Sequence, residues 1–132
     1  MEKAKAKVRD IKFYSKKNGG MITVHSVKAK KYADMLEQDE SIKLYRTNVI
    51  LENWQENIST VGIRTLYMKL DWTSDFMLVQ QDDNIAIREI LTHEALEKKA
   101  EMEKLEISRR YWKIAHVENW GMVLAPKEGR AW

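Results

Sequence analysis

The segment EALEKKAEMEKLEISRRYWK, residues 94–113, decides the fold, because it carries the longest helical pattern of the chain. With its flanks it predicts a helix from about Thr92 to Ala115, since apolar residues return near one face at spacings of three, four or seven. The members of that face are Ala95, Met102, Leu105, Trp112 and Ala115. The next apolar segment, WGMVLA at 120–125, predicts a final strand that ends before Pro126.

Three strands are predicted upstream of this long helix. Residues 42–51 (IKLYRTNVIL) alternate between apolar and polar, as a half-buried strand does. Residues 76–79 and 85–91 are short apolar segments on either side of the turn Gln81–Asn84, which predicts a β-hairpin. Residues 52–70 show neither periodicity, so the sequence predicts no regular element there.

The N-terminal part predicts a basic arm, a β-hairpin and a first helix. Residues 1–7 are expected to be a flexible arm, and the extended segments 8–14 and 21–24 flank a turn that contains two glycines. Ser26 is a suitable N-cap for a helix that continues to about Gln38.

The predicted order is therefore helix, three strands, helix and strand, preceded by a hairpin. This αβββαβ order is that of the PD-(D/E)xK nuclease core, an α/β fold in which helices flank a mixed central sheet. A chain of 132 residues fits one such domain. We expect it to span residues 8–126, with residues 127–132 as a tail.

Composition excludes several classes of site and location. The chain has no cysteine, so disulfides, thiolate nucleophiles and cysteine-ligated metals are excluded. No apolar segment approaches the roughly 20 residues that a membrane span needs, and the N-terminus lacks the apolar core of a secretory signal. A soluble, cytoplasmic protein without a membrane partner is expected.

Positive charge is concentrated at the N-terminal end. Residues 1–31 carry ten Lys/Arg and two acidic residues, a net charge of +8, whereas the whole chain carries +3. Clustered Lys and Arg release condensed counterions from nucleic-acid phosphates, so this end favours a polyanionic partner. The alternative is a solvated surface with a lysine-rich arm.

Five segments together resemble the N-terminal endonuclease domain of TnsA. TnsA is the subunit of heteromeric transposases that cleaves the 5′ ends of the element. The resemblance covers roughly residues 8–126 and is strongest in EKLEISRRYW. The segments are FYSKKNGGMITVHSV (13–27), LEQDESIKLYR (36–46), Ser74-Asp75-Phe76, residues 94–113 and Trp120-Gly121-Met122-Val123.

The resemblance implies a degenerate catalytic motif. In such a nuclease, carboxylates hold Mg²⁺ ions that activate water, and a lysine near the water orients or deprotonates it. Two of the family's groups fall on Asp75 and Glu89, which would be the catalytic and metal-binding residues. Ala29 stands where the family has a helix Glu, and Leu91 stands where it has the Lys. Mg²⁺ would therefore bind weakly or not at all.

Two other interpretations of these residues stay open. Asp75 and Glu89 could be an ordinary polar pair at a sheet edge. Alternatively, the active site could have migrated to neighbouring groups. Asp34 falls on a different helix face from Ala29, and Glu37 lies two turns away. His93 shares the strand parity of Glu89 if that strand extends so far.

The lysines near the first helix are the candidate DNA contacts, with a solvated helix face as the alternative. They are Lys16, Lys17, Lys28, Lys30 and Lys31. The resemblance implies a protein of transposon or phage DNA transactions that binds DNA, or a transposase-like or other protein partner, without a complete cleavage site. The alternatives are an active endonuclease with a rearranged site, and an inhibitory or interaction factor that reuses the fold.

Overall fold

The described part of the chain, residues 10–127 of a computed structural model, contains a β-hairpin, a four-stranded mixed sheet and helices. The predicted arm at 1–7 and all but the first residue of the predicted tail at 127–132 lie outside the described residues. None of the described helices is long and apolar enough to cross a membrane.

The N-terminal hairpin and the first helix are confirmed. Strands β1 (Ile11–Ser15) and β2 (Gly20–Val24) pair antiparallel, and Gly19 adopts the positive φ of +67° that their turn requires. Helix α1 (Val27–Gln38) begins where the Ser26 hydroxyl accepts a hydrogen bond from the Ala29 backbone N–H at 3.0 Å.

The main sheet has the order β3-β4-β5-β6. Its strands are β3 (Ile42–Ile50), β4 (Thr73–Gln80), β5 (Ile85–Leu91) and β6 (Asn119–Leu124). The first two pairings are antiparallel and the pairing of β5 with β6 is parallel. A parallel pairing needs a crossover connection, which helix α3 (Lys99–Ile114) supplies.

Each face of this sheet carries its own apolar core. Tyr32 of α1 packs edge-on against Phe76 of β4, with ring centroids 4.9 Å apart. On the opposite face, Ile107 and Trp112 of α3 pack with Ile87 of β5. Both helices are therefore fixed against the sheet by buried apolar and aromatic side chains.

The predicted single helix from Thr92 to Ala115 is wrong at its start. Residues Glu94–Glu97 form a 3₁₀ turn, Lys98 is extended, and only then does α3 begin. The Thr92 hydroxyl accepts from the Ala95 N–H at 3.1 Å, which favours the tight turn. Leu96 is 46% exposed, so no burial holds this segment in one continuous helix.

The predicted apolar face of the long helix is wrong at Met102 and Ala115, which are exposed, and Trp112 is its one fully buried member. The buried residues of α3 include Glu103 and Ser108, whereas Met102 is 37% exposed. The buried face of the helix thus combines the apolar residues Ile107 and Trp112 with two polar residues that have polar partners. Glu103, for example, accepts from the Arg64 Nε at 2.6 Å and from the Arg64 backbone N–H at 3.1 Å.

Residues 52–70, which show no sequence periodicity, pack against α3. They pack with the buried side of α3 rather than on its exposed side, and they contain helix α2 (Trp54–Asn57) and a 3₁₀ turn, Thr65–Tyr67. The Trp54 ring is 1% exposed in the α3-side core, and its Nε1 donates to the Leu70 carbonyl at 3.0 Å. The segment is fixed by such tertiary contacts rather than by a local pattern.

We therefore predict that Trp54→Ala destabilises the protein strongly. The change leaves a cavity in the α3-side core and should lower the free energy of unfolding by about 3–5 kcal/mol. Urea unfolding measures the difference. Leu66→Ala, at a 61% exposed position of the same segment, is the control and should change the free energy by less than about 0.5 kcal/mol. Equal effects of the two changes would contradict this packing.

Candidate functional site

The carboxyl groups of Asp75 and Glu89 lie at the open end of the β4–β5 hairpin, away from its turn. The paired register of these strands extends from Val79 opposite Ile85 to Phe76 opposite Arg88. Beyond that pair, the Asp75 N–H donates to Glu89 Oε1 at 2.9 Å, and the Ile90 N–H donates to Asp75 Oδ2 at 2.8 Å. Side-chain oxygens thus accept the backbone N–H groups, and the two predicted site residues lie together.

The neighbouring strand is irregular at the same level. Thr47 pairs with Phe76 and Val49 pairs with Ser74, while Asn48 between them has a φ of +53°. Asparagine tolerates this left-handed conformation better than most residues with a side chain. In β4 at this level, Ser74 contacts the α3 side while Phe76 packs on the α1 side.

Glu89 is the centre of a buried polar network. Its side chain is 2% exposed, and its Oε2 accepts from the Ser108 hydroxyl of α3 at 2.5 Å. Ser108 also accepts from the Trp120 Nε1 at 2.9 Å and lies 3.2 Å from the Ser74 hydroxyl. Trp112 Nε1 donates to that Ser74 hydroxyl at 2.8 Å. Four elements, β4, β5, α3 and β6, are joined through these atoms.

Burial raises the pKa of both carboxyl groups. Burial raises the pKa of Glu89, and the nearby charge of Asp75 raises it further, against the opposing hydrogen bonds from Ser108 and its neighbours. Burial also raises the pKa of Asp75, and the charge of Lys104 acts in the opposite direction.

A cleft of about 490 Å³ lies beside Asp75, between α1 and the start of α3. The residues that line it include Lys28, Ala29, Asp75, Ile90, Glu101 and Lys104. Two of the four positions implied by the resemblance, Ala29 and Asp75, therefore line the cleft. The other two, Glu89 and Leu91, are buried outside its lining at 2% and 5% exposure.

The carboxylates do not fit a magnesium centre. Mg²⁺ requires an octahedral set of oxygen ligands, several of them water. Both oxygens of Glu89 accept hydrogen bonds from protein groups, and no solvent reaches that side chain appreciably. Among residues 10–127, no three His, Cys, Asp or Glu side chains are grouped so that they could hold a metal ion.

The acidic residues of α1 that were alternative candidates for the site form bonds with groups outside the cleft. Asp34 is paired with Lys30 at 2.5 Å on the exposed side of α1. Glu37 Oε2 accepts from Ser15 at 2.6 Å and from Tyr45 at 2.5 Å, which fixes α1 to the hairpin and to β3. His93 is half-buried outside the residues that line the cleft.

Two cleft residues were missed by sequence reasoning. Glu101 and Lys104 of α3 line the cleft, and both are half-buried. Their spacing of three places them on one side of the helix. The apolar pattern predicts a different rotation of α3, so it gives no indication that these two charges lie at the cleft.

Two of the five candidate DNA-contacting lysines have structural partners. Lys17 Nζ donates to the Asp39 carbonyl at 2.9 Å and to the Ile42 carbonyl at 2.6 Å, so it connects the hairpin turn to the start of β3. Lys30 forms an ion pair with Asp34. Either ammonium would have to give up these contacts to bind a phosphate.

The other three lysines have weaker contacts with the rest of the described chain. Lys28 lines the cleft, and its Nζ reaches the Pro126 carbonyl at 3.5 Å, a marginal hydrogen bond. Lys16 and Lys31 are exposed, on the hairpin turn and on α1. Of the five candidate lysines, Lys28 is therefore the one that lines the cleft.

Comparison with known proteins adds no assignment. No protein-family model matches this chain, and no curated protein matches it either.

The raised pKa of Glu89 predicts a specific pH dependence of stability. A carboxyl whose pKa is higher in the folded state keeps its proton there, so the free energy of unfolding decreases as pH rises above about 4.3, the value of an unperturbed Glu. In Glu89→Gln this decrease should be absent. The free energy of unfolding of the variant, relative to the parent protein, should therefore increase between pH 4 and pH 8.

Urea unfolding across this pH range measures the difference. Glu97→Gln, at an exposed position of the 3₁₀ turn, is the matched control and should stay parallel to the parent protein. If Glu89→Gln also stays parallel, Glu89 is not the buried, proton-retaining group described above.

Proposed function

We propose that the chain is a TnsA-like protein of the PD-(D/E)xK nuclease fold that binds DNA and has an incomplete cleavage site. The element order and the mixed sheet, with one parallel pairing across α3, support this fold. The single observation that carries the proposal is the pairing of Asp75 with Glu89 across β4 and β5, beside a cleft lined by Ala29.

The local chemistry supports binding without cleavage. The methyl group of Ala29 and the aliphatic side chain of Leu91 can neither ligate a metal ion nor transfer a proton. Glu89 is held by Ser108 and by the Asp75 N–H, so one carboxylate remains at the cleft from the implied set. The resemblance implies that such a protein takes part in DNA transactions of a transposon or phage, alone or with a transposase-like partner.

An active endonuclease with a rearranged site is the second candidate. The observation that favours it is the presence of Glu101 and Lys104 in the cleft with Asp75. These residues are of the types that the resemblance expects at Ala29 and Leu91, although they come from α3.

We predict that the purified protein does not nick supercoiled plasmid DNA above background with Mg²⁺ or Mn²⁺. The reason is the lack of a complete ligand set and of a lysine at position 91, since catalysis by metal ions depends on a fixed coordination geometry. Agarose electrophoresis after removal of the protein measures the fraction of open-circular plasmid. Metal-dependent nicking that disappears in Asp75→Ala would establish the rearranged endonuclease instead.

We also predict that duplex DNA is bound without sequence preference and with a strong dependence on salt. The slope of log affinity against log salt should be about −0.9 per phosphate contacted. Changing Lys28, Lys30 and Lys31 to Glu should weaken binding at about 100 mM salt by tenfold or more, because three phosphate-attracting charges become repulsive.

Fluorescence anisotropy with a labelled duplex measures both quantities. The matched control changes Lys43, Lys69 and Lys113 to Glu, which alters net charge equally at exposed positions outside the cleft. Equal losses in the two triple variants would mean that only net charge matters. The absence of DNA binding at about 50 mM salt, where phosphate contacts are strongest, would favour the interaction factor.

A further inference from the structure

We infer that this chain forms a two-fold symmetric dimer in which β6 of one copy pairs antiparallel with β6 of a second copy, centred on Met122. The pairing would join two four-stranded sheets into one continuous sheet. The inference is independent of the proposed DNA binding. It rests on three features of β6, namely its unpaired backbone edge, its exposed apolar side chains and the opposite charges at its two ends.

The first feature is the outer edge of β6. The Ala125 N–H donates to the Leu91 carbonyl at the end of β5 at 2.7 Å, so the backbone groups of Met122 and Leu124 point away from β5. β6 is the last strand of its sheet, and no other strand among residues 10–127 pairs with that edge. It contains no lysine, proline or bulge, which are the features that keep natural edge strands from pairing.

The opposite edge of the sheet is blocked by contrast. The N-terminal hairpin covers β3, where the Tyr45 N–H donates to Asn18 Oδ1 at 2.9 Å. The Thr47 hydroxyl and the Asn48 side-chain amide both donate to the Thr23 carbonyl of β2, at 2.7 and 3.2 Å. Of the two edges, that of β6 is therefore the one that is open to a further strand.

The second feature is a set of exposed apolar side chains on the α3 side of β6. Trp120 Nε1 donates to a serine of α3, so Met122 and Leu124, two and four residues later, point to the same face. Met122 is 53% exposed and Leu124 is 46% exposed. Arg109 of α3 lines a cavity with Trp120, and Met102, two turns earlier on that side of the helix, is 37% exposed. A second sheet placed edge to edge would cover these side chains.

The third feature is the charge at each end of the strand. Glu118 precedes β6 and Lys127 follows it; both are exposed, and neither forms an ion pair in the described part of the chain. In an antiparallel pairing centred on Met122, Glu118 lies opposite Pro126 of the second copy, beside its Lys127. The two-fold axis repeats this contact. A segment with one sign of charge would match only one end, whereas a second copy matches both.

Sedimentation velocity of the full chain over a range of concentrations tests the dimer. The parent protein should form a dimer that dissociates on dilution. Met122→Lys should stay monomeric at concentrations at which the parent protein is dimeric, because two ammonium groups would meet at the two-fold axis. Its urea unfolding at low concentration should match that of the parent protein, which shows that the monomer is folded. Ile50→Lys, at a 58% exposed position of β3, is the matched control and should remain dimeric.

A charge exchange tests the antiparallel arrangement. Glu118→Lys and Lys127→Glu should each weaken dimerisation severalfold, because each change places like charges together twice in a symmetric interface. The double variant restores the opposite charges and should dimerise as the parent protein does.

Four results would overturn the inference. A parent protein that is monomeric at every concentration would leave the β6 edge to a different protein. A dimer that persists in Met122→Lys would place the interface elsewhere, and loss of the dimer in Ile50→Lys as well would mean that added charge alone separates the copies. A double variant that dimerises no better than the two single variants would exclude the antiparallel pairing of β6.

Discussion

The structure depends on one buried interaction, the carboxyl group of Glu89 held between the Asp75 N–H and the Ser108 hydroxyl. A buried carboxyl group is unfavourable unless its oxygens are hydrogen-bonded, and here both are. Because the two donors come from β4 and α3, the interaction fixes the separation of the sheet from the helix. The indole N–H groups of Trp112 and Trp120 join the same serine pair, so β6 is held by it as well.

The same interaction accounts for the chemical character of the cleft. The interaction keeps the Glu89 side chain buried. Asp75 is then the strand carboxylate that lines the cleft, with Lys28, Glu101 and Lys104. A cleft with mixed charges and a single carboxylate of the set implied by the resemblance is poorly suited to assembling a metal centre. In the proposed function, the carboxyl group of Glu89 therefore has a structural role rather than a catalytic one.

The regular strands and α1 could be predicted from sequence because their side chains follow a simple period and Ser26 caps the helix. The rotation of α3 could not, since Glu103 and Ser108 are buried by polar partners that apolar periodicity ignores. Because the apolar pattern predicts another rotation, it does not indicate that Lys104 lies at the cleft. Asp75 and Glu89 lie together, but the burial of Glu89 depends on Ser108, which is distant in sequence and carries no signal of its own.

Calorimetric titration of Mn²⁺ into the parent protein and into Glu89→Gln, each with bound duplex DNA, tests most directly whether Glu89 is structural. The account predicts the same weak or absent binding heat in both proteins, because neither presents the side chain at position 89 to the cleft. Saturable Mn²⁺ binding by the parent protein that is lost in Glu89→Gln would contradict the account and would make Glu89 a metal ligand.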